Sequence, residues 1–139
     1  MKIMWLLCLT TMFPCMCFAQ SLKHKQLLSC MDKAKTQFQM DVCANQEAKR
    51  AEAELNRVYG EAISRSKTYP LATSKLKKAE QIWVAYRKAY LEAMFPQKDK
   101  QAVYGTMFPM EADLEFADMT WRQAAALNHL LKQWEETEP

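Results

Sequence analysis

Residues 36–66, TQFQMDVCANQEAKRAEAELNRVYGEAISRS, decide the fold class of this chain. Thr36 and Gln39 form a capping box, in which each side chain satisfies a free backbone N–H at the start of a helix. Small and apolar residues then recur at steps of three and four, as on one stripe of a helix. These residues are Ala44, Ala48, Ala51, Leu55, Val58, Tyr59, Ala62 and Ile63. The spacing predicts a long amphipathic helix in which Glu47 belongs to a solvated charged face and Gly60 marks close packing or a bend.

Other helices are predicted on both sides of this one. A short helix covers about residues 21–34, and a third helix begins at Pro70 and ends at Pro96. Its apolar stripe consists of Leu76, Ala79, Ile82, Trp83, Tyr86, Ala89, Tyr90, Ala93 and Met94. A fourth helix begins after Pro109 and runs to about Trp134. Its stripe consists of Met110, Leu114, Ala117, Trp121, Ala124, Leu127 or Asn128, Leu131 and Trp134. The sequence therefore predicts an all-α bundle of three long helices and one short N-terminal helix.

The composition excludes several classes of protein. The chain has 139 residues, which is the size of one domain, and only two glycines and five prolines. It therefore lacks a glycine-rich loop for phosphate and the turn formers of a sandwich or barrel. A net charge of +3 is too small for a dedicated nucleic-acid-binding protein.

Residues 1–19 have the pattern of a signal peptide, with a basic start, an apolar run and a small residue, Ala19, where cleavage would occur. The run is shorter than the roughly 20 residues that a membrane-spanning helix needs, so no stable membrane anchor is expected. A lipidated Cys15 or Cys17 is the alternative to soluble export, but Pro14 stands where a small residue is expected. The sequence predicts a periplasmic or secreted domain over residues 20–139.

Removal of the leader leaves two cysteines, Cys30 and Cys43. In an oxidising compartment such a pair favours a disulfide, which would join the short first helix to the long second one. A metal site is the alternative. It is disfavoured because the two histidines, His24 and His129, lie at opposite ends of the mature chain without zinc-like spacing.

No catalytic constellation is present in the sequence. Neither Gly-x-Ser-x-Gly nor His-Glu-x-x-His occurs, and no histidine has a neighbouring Asp or Cys. Met107 and Met110 suggest copper(I) ligation, but core filling accounts for them better. Trp83 and Arg87 form a possible site pair, although their place in an apolar stripe favours the core. We therefore expect no enzymatic activity, no metal and no cofactor.

The order of several short strings resembles a family of bacterial secreted domains, the lysozyme inhibitor LprI family. The strings are Cys30; Thr36-Gln37 with Met40; Cys43-Ala44; residues 53–59, AELNRVY; residues 79–89, AEQIWVAYRKA; Gly105-Thr106; Pro109-Met110; and Met119-Thr120 with Arg122. The resemblance covers about residues 30–127. It implies a non-enzymatic protein that binds a lysozyme.

One departure from this family concerns a second cysteine pair. The corresponding positions in this chain are Leu91 and Glu115. The resemblance therefore implies that the junction of the third and fourth helices is held by packing alone and is more mobile.

Two candidate partner-binding regions follow each other in the sequence. The first is the polar loop 96–109, where Tyr104, Gly105, Thr106 and Phe108 are expected to be exposed, unless the two aromatic rings fold back onto the core. The second is the acidic C-terminal segment, since residues 111–139 hold seven acidic and two basic residues. Its candidate side chains are Glu111, Asp113, Glu115 and Asp118. They would attract a basic enzyme, or instead pair with the basic back of the third helix.

Two functions agree with these features. In the first, the protein is exported and inhibits a lysozyme or a related cell-wall hydrolase without catalysis. In the second, it is a helical module of the cell envelope that binds another bacterial protein and inhibits no hydrolase.

Overall fold

The computed structural model describes residues 18–69 and 71–137, with side chains from residue 25 onward. It contains helices α1 (Phe18–Lys33), α2 (Gln37–Ser66), α3 (Ala72–Met94), α4 (Lys100–Tyr104) and α5 (Phe108–Thr137), with a 3-10 turn at Gly105–Met107. The predicted bundle of three long helices and a short N-terminal one is confirmed. The predictions for most of the leader and for Pro70 fall outside the described residues. No helix of the described segments is long and apolar enough to cross a membrane.

The start of α2 shows why the chain turns between α1 and α2. The hydroxyl of Thr36 accepts a hydrogen bond from the backbone N–H of Gln39 at 3.3 Å. The side-chain oxygen of Gln39 accepts from the backbone N–H of Lys35 at 2.6 Å, one residue before the position that a standard capping box uses. Two free N–H groups are thus satisfied, and the predicted start of the helix is confirmed.

The main core lies between α2 and α5, which run parallel to each other. Asn45 donates to Asp113 at 3.1 Å near the start of both helices, and Arg65 pairs with Glu135 at 3.7 Å near their ends. The buried residues of this core are Ala48, Ala51, Leu55, Val58, Ala62, Ala117, Ala124, Leu127 and Leu131, joined by Leu76 of α3. Small residues on both helices allow the backbones to approach closely, and the stripe predicted for α2 is confirmed.

Helix α3 runs antiparallel to α2 and α5 and is much more exposed than predicted. Leu76 is its only buried side chain, although the predicted stripe ran the length of the helix. Ile82, Tyr86, Tyr90 and Met94 of that stripe are exposed. The prediction that this stripe is core is therefore wrong. The reason is geometric: α2 and α5 bury each other's stripes, so α3 can reach the core only along a narrow line.

The segment predicted as loop 96–109 is mostly helical, so that prediction is wrong. Asp99 caps α4 by accepting from the backbone N–H of Ala102 at 3.0 Å. Gly105 ends α4 with a φ of +73°, a conformation that favours glycine. Helix α5 then begins at Phe108, so Pro109 lies in its first turn instead of before it.

The disulfide between Cys30 and Cys43 is confirmed, with 5.7 Å between the two Cα atoms. Cys43 is buried on α2, whereas none of the described α1 side chains, residues 25–33, is buried. The described side chains of α1 therefore contribute little to the core, and the disulfide ties this helix to α2.

Candidate protein-binding face

Three aromatic rings pack together where α3 turns back towards α5. The ring of Phe95 lies 5.3 Å from that of Tyr104 and 5.0 Å from that of Phe108, both edge to face. Phe95 is buried, and its carbonyl accepts a hydrogen bond from the ammonium group of Lys100. Tyr104 and Phe108 are consequently half-buried, so the expectation that they are exposed is wrong and the fold-back alternative is correct. Gly105 and Thr106 are exposed as predicted.

The four acidic candidates of α5 divide between two faces of the helix. Glu111, Glu115 and Asp118 follow each other at steps of four and three, so they lie on one face. Asp113 lies on the other side, where it accepts the hydrogen bond from Asn45 of α2. We call Glu111, Glu115 and Asp118 the acidic face. Glu111 also stands in the first turn of α5, where the helix dipole favours a negative charge.

The cation beside the acidic face belongs to the same helix. Arg122 pairs with Asp118 and lies 3.8 Å from the carboxylate of Glu115. Glu115 and Asp118 thus have an ion-pair partner on α5 itself. The alternative in which the acidity pairs with the basic back of the third helix stays a prediction. The acidic face remains available, with Arg122 as its neighbour.

The acidic face borders a groove between α3 and α5, which we call the α3–α5 groove. It contains two neighbouring clefts that share Glu115, one of about 240 Å³ and a wider one of about 490 Å³. The first is lined by Trp83, Tyr86, Tyr90, Glu115, Met119, Arg122 and Gln123. The second is lined by Met94, Phe95, Glu111, Leu114, Glu115 and Asp118. Glu115 therefore faces α3, where it lines the same cleft as Tyr90. Tyr90 is the neighbour in sequence of Leu91, the other position of the missing cysteine pair.

Sequence reasoning assigned Tyr86, Tyr90 and Met94 to the core and so missed this side of the groove. One signal was present: two tyrosines stand on the same stripe. A tyrosine has an apolar ring and a polar tip, which suits a partly wet surface better than a closed core. Their rings lie 5.8 Å apart and are exposed.

Arg87 packs against Trp83, which lines the α3–α5 groove. Its guanidinium lies between two rings, 4.7 Å from the centre of Trp83 and 3.9 Å from that of Phe116. It donates a hydrogen bond to the hydroxyl of Thr120 at 2.9 Å and lies 3.8 Å from Glu52 of α2. Burial lowers the pKa of Arg87, and the negative charge of Glu52 counters part of that effect. Trp83 and Arg87 therefore lie at the edge of the core, which agrees with the prediction from their place in the apolar stripe.

Glu47 is a buried charged group between α2 and α5, and its prediction as part of a solvated face is wrong. Only 2% of its surface is exposed. One carboxylate oxygen accepts from the indole N–H of Trp121 at 2.8 Å, and the other from Nε of Arg50 at 3.1 Å. Both oxygens have donors, which is what allows a carboxylate to be buried between α2 and α5.

Residues 30–127 match the family model described as lysozyme inhibitor LprI. The chain belongs to the LprI family. It is also similar to an uncharacterized protein of Rhizobium meliloti (strain 1021), with 30% identity over 115 residues, covering 74% of this chain and 79% of the relative. No solved structure matches the chain.

The strings that carry the LprI resemblance supply much of the scaffold. Cys30 and Cys43 form the disulfide, and Arg87 meets Thr120 across α3 and α5. By contrast, the acidic face, Tyr90 and Met94 lie outside those strings. Among the described residues, no group of three or more His, Cys, Asp or Glu side chains is placed to hold a metal ion.

Proposed function

We propose that this protein is exported and inhibits a lysozyme or a related cell-wall hydrolase by binding it, without catalysis of its own. Membership of a family described as lysozyme inhibitors supports this proposal. The leader pattern over residues 1–19 and the disulfide support export, because disulfides persist in oxidising compartments. The observation that carries the binding mode is the acidic face, whose carboxylates are exposed or half-buried beside the α3–α5 groove.

Charge explains how such a face would find its partner. Animal lysozymes are generally strongly basic, and complementary charge accelerates encounter and fixes orientation. The chain as a whole has a net charge of +3, so its overall charge does not attract a basic enzyme and the attraction has to come from a local acidic surface. The acidic face would therefore orient the partner towards Glu111, Glu115 and Asp118 and towards the exposed turn at Gly105 and Thr106.

The test is a titration of the purified protein, without residues 1–19 and with the Cys30–Cys43 bond formed, into lysis assays. The assays use c-, g- and i-type lysozymes at low and at moderate salt. We expect stoichiometric loss of lysis with one class, weakened by salt because the attraction is between exposed charges. No inhibition of any class at a large excess would refute the proposal, and the envelope-module alternative would then be pursued.

The chain supplies matched variants for this assay. Glu111→Gln, Glu115→Gln and Asp118→Asn together should weaken inhibition about tenfold or more, chiefly through slower association. Asp113→Asn is compared with Asp118→Asn alone, because each removes one charge from the same helix and Asp113 lies on the side that faces α2. Equal loss in both variants would point to net charge and contradict a role for the acidic face.

A further inference from the structure

The exposed side of α3 has the geometry that receives another helix. Ile82, Tyr86, Tyr90 and Met94 are each four residues apart, so their side chains form one continuous ridge along the helix. All four are exposed, with Ile82 at 57% and Met94 at 41%. Ridges with this spacing pack into the grooves of a neighbouring helix, which is the commonest way in which helices pack. No described element covers this ridge.

The opposite wall of the α3–α5 groove is charged. Glu111, Glu115 and Asp118 lie along it, and Glu115 contributes to both clefts. The groove thus has an apolar wall on α3 and a negatively charged wall on α5. An occupant that complements both walls needs an apolar side and a cationic side, which is the surface of a basic amphipathic helix.

We propose that the α3–α5 groove binds a cationic amphipathic helix. Its apolar side lies on Tyr86, Tyr90 and Met94 in the groove and continues along the ridge to Ile82, and its Lys or Arg side chains reach the acidic face. The ridge rises about 18 Å from Ile82 to Met94, so the bound helix has three to four turns, or about 11–14 residues. This is a separate activity from inhibition of a hydrolase, because the ligand is a peptide segment and no enzyme takes part.

Arg122 lowers the affinity of the α3–α5 groove for a cationic helix. In the free protein its guanidinium pairs with Asp118 and lies near Glu115, which is where a cation of the bound helix would stand. The arginine is 69% exposed, so it can swing away into solvent when a ligand arrives. Arg122 therefore competes with the ligand, and its removal is expected to strengthen binding.

The test measures binding of a labelled Lys/Leu amphipathic peptide of about 14 residues by fluorescence anisotropy, without any lysozyme. A peptide of the same composition in scrambled order is the comparison. We expect the amphipathic order to bind about tenfold more tightly than the scrambled one and to gain helical circular dichroism on binding. Equal binding of the two peptides would show a purely electrostatic attraction and would overturn the proposal.

Variants locate the ligand. Tyr86→Ser with Tyr90→Ser should weaken binding about tenfold, whereas Arg122→Gln should strengthen it several-fold. Val84→Ser is the matched control, since Val84 is exposed on the same helix but lies in a cleft with Tyr59 and Lys77 on the side of α2. The affinity of the Val84→Ser variant for the peptide should not change. Unchanged affinity in the tyrosine variant, or weaker binding by Arg122→Gln, would overturn the proposal.

Sedimentation velocity of the free protein tests whether a second copy of the chain occupies the groove instead of a peptide. If the protein forms dimers that Tyr86→Ser with Tyr90→Ser converts to monomers, and no peptide binds, the groove receives a second copy and the proposal is wrong. The lysis assay is independent of these measurements. Peptide binding without inhibition would refute the proposed function alone, and inhibition without peptide binding would refute this inference alone.

Discussion

Helices α2 and α3 have the same kind of apolar periodicity, yet only one of them is buried. Val58 of α2 is completely buried, whereas Ile82 of α3 is 57% exposed. The difference arises because α2 lies against α5 over its whole length, while α3 touches that pair along one line. Periodicity identifies the residues that share a face, and only the arrangement of the helices determines whether that face is covered.

The largest expected effect comes from a cavity in the α2–α5 core. Leu127→Ala should lower the free energy of unfolding by about 2–5 kcal/mol, because Leu127 is 5% exposed and packed against α2. Ile82→Ala on α3 is the matched change and should cost no more than about 0.5 kcal/mol. Urea unfolding followed by circular dichroism measures both. A similar loss for the two variants would mean that the stripe of α3 is core after all.

The next effect concerns the attachment of α1. Cys30→Ser with Cys43→Ser should lower the free energy of unfolding by about 3 kcal/mol, the value expected for a loop of this length. Because no described side chain of α1 is buried, amide exchange should accelerate in α1 more than in α5. Reduction of the unmodified protein should have the same effect. Uniform acceleration along the chain would show that α1 belongs to the cooperative core.

A smaller loss is expected at the buried carboxylate. Glu47→Gln keeps an oxygen that can accept the indole N–H of Trp121 but removes the ion pair with Arg50. We expect a loss of about 1–2 kcal/mol, since a hydrogen bond to a charged group is lost while Arg50 can still reach water. Glu61→Gln is an exposed control on the same helix and should change stability very little. Thermal unfolding compares the two, and equal effects would contradict the special position of Glu47.

The smallest effect is a gain in stability at a glycine of α2. A methyl group at Gly60 would meet no atom within 4 Å, so the prediction of close packing there is wrong. Gly60→Ala should raise the free energy of unfolding by about 0.4–1 kcal/mol, because alanine loses less freedom in a helix. Gly105→Ala is the contrasting change and should destabilise, since its φ of +73° strains other residues. A loss at Gly60 would reveal a bend that depends on glycine.

The sequence was sufficient to predict features that depend on neighbours along the chain. The capping residues Thr36 and Gln39 and the alanine-rich stripe of α2 are local patterns, and the structure confirms them. The disulfide was predictable because Cys30 and Cys43 are the two cysteines that follow the predicted leader.

Features that depend on distant partners could not be predicted in this way. Glu47 follows Ala44 by three positions, so its place at the edge of the stripe was visible, but its donor Trp121 lies 74 residues away. The exposure of Tyr86 and Tyr90 likewise depends on how α5 lies beside α3. The acidic residues of the candidate site were found from charge alone, whereas the separation of Asp113 from the other three required the contact with Asn45.

The parallel course of α2 and α5 has a consequence for how this fold can diverge. Two parallel helices in one chain need a connection that returns along their full length, and α3 is that connection. Its outward residues therefore serve neither the core nor the chain reversal. Substitutions there can therefore accumulate with little effect on folding, so this surface is free to change while the α2–α5 pair stays the same.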